Sequence, residues 1–120
     1  MGDHDVTGDR LRLLADFYGT CAGLLREALA RHVPAERLEQ VEATLFDGIE
    51  PLPAGPALAA AVEQFLARLD ALRTSDVTGV RYAFAALERQ GLTPHTMQRI
   101  AALAQAVRVE RMQTVLAQVQ

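Results

Sequence analysis

Five apolar residues, Leu58, Val62, Phe65, Leu69 and Leu72, recur at steps of four, three, four and three. A strand turns alternate residues to opposite faces and would scatter them, whereas a helix gathers them along one stripe. The spacing therefore predicts a helix over residues 57–73 with one buried face, the seam of a helical bundle. That seam lasts barely two heptads, too short for a free coiled coil, so the helix needs neighbours to cover it.

The same period returns along the chain. Over residues 9–32, Leu11, Leu14, Tyr18, Cys21, Leu25 and Ala28 step by three and four, Phe17, Leu24 and Leu29 widen the stripe, and Asp9 stands where an N-cap belongs. A second helix starts at Pro34, with Glu36 and Glu39 near the positive end of its dipole and Leu38, Val41 and Leu45 as its stripe. Asp47 and Gly48 end it, and Pro51, Pro53 and Pro56 stiffen the loop over residues 50–56.

A fourth helix follows the capping residues Thr74, Ser75 and Asp76, with Val77, Val80, Phe84 and Leu87 facing inward. Val80, Tyr82 and Phe84 also alternate as a strand would, but no second strand candidate exists to pair with them. Gly79 would cost about 1 kcal/mol relative to Ala inside a helix, a cost that close packing against a neighbour offsets. Gly91 then caps this helix, Leu92 supplies the apolar contact of a Schellman ending, Thr93 caps the next helix and Pro94 opens it. The last helix runs to about residue 119. The chain is thus expected to be all-α: a single compact bundle of about five helices with long first and last members, residues 9–120, behind a flexible acidic tail over residues 1–8.

Composition narrows the chemistry. The chain has 120 residues, the length of one domain, and half of them are apolar. There is no Lys and no Asn, and all twelve basic residues are Arg. Schiff-base and P-loop lysines and Asn ligands are therefore excluded, and every surface cation is a planar guanidinium suited to carboxylate, phosphate and base-edge contacts. The net charge of −3 divides unevenly. Residues 1–76 hold seven Arg against thirteen acidic residues, a balance of −6, and residues 77–120 hold five Arg against Glu88 and Glu110, a balance of +3. Such asymmetry points to an anionic partner for the basic part, or to attraction between two copies.

Cys21 is the only cysteine, so no internal disulfide forms, and its stripe position makes it a small buried hydrophobe. No apolar run has membrane-spanning length and the first residues lack the pattern of a signal peptide, so a soluble bacterial cytoplasmic protein is expected, without membrane contact. Asp3, His4 and Asp5 are metal-capable types, but ordering a terminal segment costs entropy, and neither a metal nor a cofactor is expected. Glu36, Glu39, Glu42 and Asp47 read as a solvated helix face rather than paired catalytic carboxylates, and no nucleophilic signature is present, so an enzyme is not expected.

The last helix changes face. At 100° per residue, Met97, Ile100, Ala104 and Val107 share one side. Val109, Met112, Leu116 and Val119 lie a quarter turn or more away, and Arg111 and Gln118 occupy the continuation of the first stripe. A helix serving one core keeps one stripe. The second stripe is expected to meet a partner, a second copy in a homodimer or another protein subunit of a larger assembly.

The joint between the last two helices resembles the middle of a helix-turn-helix DNA reader. Gly91, Leu92, Thr93, Met97 and Ile100 match that pattern, while Leu87 stands where it has a small residue and Gln90 where it has an apolar one. The resemblance implies a DNA-binding regulator in which Thr93, His95, Thr96 and Arg99 face the major groove, with Arg99 as the guanine or phosphate contact. Arg26 and His32 have the Arg-x5-His form of HEPN-type ribonucleases. No second polar residue supports that form, and a histidine at a helix end is read instead as complementing the dipole. A third reading is a ligand-binding helical domain with a pocket near Phe17, Tyr18, Phe65 and Phe84.

Overall fold

The computed structural model describes the backbone of residues 3–119 and the side chains of residues 8–110, 116 and 117. Five helices follow one another: α1 (Asp3–His32), α2 (Ala35–Phe46), α3 (Pro56–Leu72), α4 (Val80–Arg89) and α5 (Pro94–Val119). No strand occurs among the described residues. The all-α bundle expected from periodicity is the fold.

α1 is the shared neighbour. It packs against each of the other four helices, while α3 also meets α2 and α5. The inward stripe of α1, Leu14, Tyr18, Cys21, Leu25 and Leu29, is buried against the seam of α3 and the inner faces of α4 and α5. Phe65 sits at the centre with no exposure, edge-on to Tyr18 at 4.9 Å between ring centroids and stacked on Phe46 at 5.7 Å. Val80, Ala83, Phe84 and Leu87 of α4 are buried and Tyr82 is outside, so the helical period of this segment prevails over its strand-like alternation.

Two helix starts differ from the expectation. α1 is already helical at Asp3 rather than beginning at Asp9. Acidic residues are stabilised in a helix's first turn, and Gly8 lowers propensity without interrupting the hydrogen-bond ladder. α4 begins at Val80, so Gly79 is its N-cap and not an interior residue. Gly79 has φ +91°, and a Cβ built there would lie 1.9 Å from the backbone oxygen of His32. The turn after α3 thus crosses hard over the C-terminal end of α1, and only glycine fits the crossing.

Long-range polar contacts fix the loops. Arg68 of α3 donates to the backbone carbonyls of Thr44, Leu45 and Asp47, closing the C-terminal end of α2 with a cation. Glu50, just beyond α2, accepts from the Tyr18 hydroxyl at 2.8 Å and from Arg26 at 2.5 Å. The Arg26 guanidinium also lies 3.9 Å from the centre of the Phe46 ring. The proline-rich loop is thereby tied to the middle of α1.

Candidate interaction surfaces

The first half of α5 belongs to the core. Met97, Ala104 and Val107 are buried and Ile100 is half-buried, as the first stripe requires. Two ion pairs brace the helix just beyond. Arg108 meets Glu63 of α3 at 2.5 Å, and Arg10 of α1 meets Glu110 at 2.5 Å. Residues 108 and 110 lie 200° apart around a helix, so these pairs grip α5 on opposite flanks.

Between them Val109 points away from Val107, and 44% of it is exposed. Two turns further on, Leu116 is 56% exposed. The side chains of Met112 and Val119, the other members of the second stripe, lie outside the described residues. Large exposed apolar residues elsewhere are Leu13 on α1 and Tyr82 on α4.

The joint from α4 to α5 has the capping expected of it. Gly91 takes φ +90°, its N–H donates to the Glu88 carbonyl, and the Leu92 N–H donates to Leu87, both at 3.0 Å. These are the two bonds of a Schellman motif. The Thr93 hydroxyl accepts from the Thr96 N–H at 3.3 Å. His95 and Arg99 are exposed, and Thr93 and Thr96 are half-buried. The Thr96 hydroxyl is held within the joint, 3.2 Å from the Gly91 carbonyl and from the Thr93 hydroxyl. Leu87 is buried, and α4 packs chiefly on α1 while α5 packs chiefly on α3.

Tyr18, Phe65 and Phe84, named above as candidate pocket residues, are core residues, and Phe17 is partly buried against the same core. A shallow hollow of about 240 Å³ lies between α1 and α4, lined by polar Glu27, Arg31, His32 and Gln90 over Leu24 and Leu87. His32 ends α1, half-buried, with its ring 6.2 Å from that of Tyr82.

Electrostatics set Glu50 apart. The hydrogen bond from Arg26, with that from Tyr18, holds its carboxyl below the usual carboxylate range. Burial and the bond to Glu50 raise the Tyr18 phenol, and the bond to Glu50 raises Arg26. Burial alone pushes the Cys21 thiol up to about 12, which makes it a poor nucleophile. Among the described residues no group of three or more His, Cys, Asp and Glu converges on a possible metal position. The side chains of Asp3, His4 and Asp5 lie outside them. Among the described residues, no helix is long and apolar enough to cross a membrane.

The chain matches no protein-family model, no curated protein and no solved structure.

Sequence reasoning missed the Glu50 tie and the Arg68 cap. Both join residues more than twenty positions apart, which local patterns do not encode. The solvent exposure of Tyr82 had a signal in hindsight: it stands half a turn from the line of Val80, Phe84 and Leu87.

Proposed function

We propose that this protein is a small non-enzymatic accessory subunit that self-associates, or docks on a larger bacterial assembly, through the C-terminal half of α5. The observation that carries this reading is the exposure of Val109 and Leu116 on a helix tied to α3 and α1 by ion pairs at Arg108 and Glu110. With Met112 and Val119, which the helical period places on the same stripe, burial would contribute roughly 6–10 kcal/mol before the cost of association. A two-fold homodimer is the leading form.

Light scattering across a concentration series tests it. The intact chain is expected to associate, and Leu116→Glu is expected to return it to monomer with unchanged helical content by circular dichroism. A chain that stays monomeric at all concentrations refutes the homodimer.

A helix-turn-helix regulator is the second reading. The capped joint and the exposed His95 and Arg99 favour it; buried Leu87 and the internally bonded Thr96 weigh against it. Retention on duplex DNA at low salt that weakens with Arg99→Ala would support it, and absence of retention would remove it.

A further inference from the structure

The arginines whose side chains are described fall into two groups. Arg10, Arg12, Arg26, Arg73 and Arg108 form ion pairs, and Arg68 is spent on backbone carbonyls. Arg31, Arg37, Arg81, Arg89 and Arg99 form no ion pair among the described residues. Two of these five, Arg31 and Arg89, belong to the face that α4 makes with the end of α1.

Two contacts join this face. The rings of His32 and Tyr82 approach to 6.2 Å, and Arg31, His32 and Gln90 line one hollow. Tyr82 and Arg89 stand seven residues apart on the outward side of α4, about 10 Å along the helix. Tyr82 is 67% exposed, the most exposed large hydrophobic among the described residues. Glu88, next to Arg89, is engaged by Arg73, and Glu27 in the hollow forms no ion pair with Arg31 one turn later. The face keeps a net positive charge on a chain whose total is −3.

We propose that this α1–α4 face binds single-stranded nucleic acid. Arg31 and Arg89 would contact phosphates, and Tyr82 would offer its ring to a base. Free guanidiniums around an exposed aromatic ring are what such strands require: charge for the backbone and a flat surface for stacking. An acidic protein would use the arginines but leave the ring idle. The hollow is shallow, so the strand lies on the surface and no base enters a closed pocket.

The test is fluorescence anisotropy of a labelled oligothymidylate against the full-length protein over a salt series. With two phosphate contacts, a tenfold rise in salt should weaken binding by about 25-fold. Arg89→Glu should weaken binding at low salt at least about tenfold, and Tyr82→Ala by about fivefold or more. Both positions are exposed, and an unchanged melting temperature confirms an intact fold. Absence of binding at low salt overturns the proposal, as does binding indifferent to Arg89→Glu and Tyr82→Ala. Displacement by polyglutamate as readily as by unlabelled oligonucleotide also overturns it, since that would mark an acidic protein as the partner. Preference for duplex, lost with Arg99→Ala alone, would move the contact to the α4–α5 joint and overturn it as well.

Discussion

Replacing Gly79 by alanine should be the most damaging single-methyl change in this fold. Its backbone has φ +91°, a region where a Cβ costs roughly 1–2 kcal/mol. The new methyl would also stand 1.9 Å from the His32 oxygen and 2.5 Å from the His32 carbonyl carbon. Both are about 1 Å or more inside ordinary contact, and the obstacle is backbone rather than a yielding side-chain tip. Val33 follows directly and is buried, so the end of α1 has no free direction of retreat. Overpacking of this kind costs about 1–3 kcal/mol. The two contributions together give about 2–5 kcal/mol, or a melting temperature lowered by on the order of 10–20 °C at this chain length. Gly91→Ala is the control: φ is +90° there, but no atom lies within 4 Å of the added carbon. It should lose only the backbone contribution, about 1–2 kcal/mol. Thermal and urea melts followed by circular dichroism would measure both. Equal losses in the two variants would refute the claim that the crossing at His32 is sterically closed.

Three further outcomes follow from other contacts. Glu50 has a lowered folded-state pKa, so its bonds stabilise the fold fully above its ordinary value of 4.5 and are lost as the pH falls through the lower folded value. Urea midpoints of the wild type should therefore fall more steeply than those of Glu50→Gln below about pH 4.5, by no more than about 1 kcal/mol given the partial exposure of the pair; parallel curves would count against the tie. Cys21 should resist a thiol reagent such as dithionitrobenzoate in the native state and react fully in denaturant, because the reactive thiolate is suppressed and enclosed; rapid native labelling would contradict its burial. Arg68→Ala should lose about 1–2 kcal/mol in a urea melt by stripping the cap from α2, whereas Arg37→Ala, without an ion pair, should change little.

Periodicity makes most of the architecture legible in the sequence. Leu58 through Leu72 announce α3, and Gly91, Thr93 and Pro94 announce the α4–α5 joint, because capping and stripes are local physics. The start of α4 was not legible in the same way. Gly79 reads as a tolerated helix residue until the His32 carbonyl is seen beside it. Local rules also placed the α1 start at Asp9, since nothing before it carries an apolar stripe, yet helical backbone needs no stripe to continue. The second stripe of α5 was legible as a pattern, and Val109 and Leu116 stand out in the solvent. The unpaired arginines of the α1–α4 face were not, because which guanidiniums find a carboxylate depends on neighbours in space.

One helix, α1, touches every other. Its contacts with α4 and α5 bring together residues far apart along the chain, with Arg10 and Glu110 the widest-spaced ion pair described. A growing polypeptide must therefore carry a greasy, half-clothed rod through nearly its whole synthesis before the last covering piece arrives. Slow translation or premature stopping would leave that rod bare, and such fragments should be ready prey for chaperones and proteases.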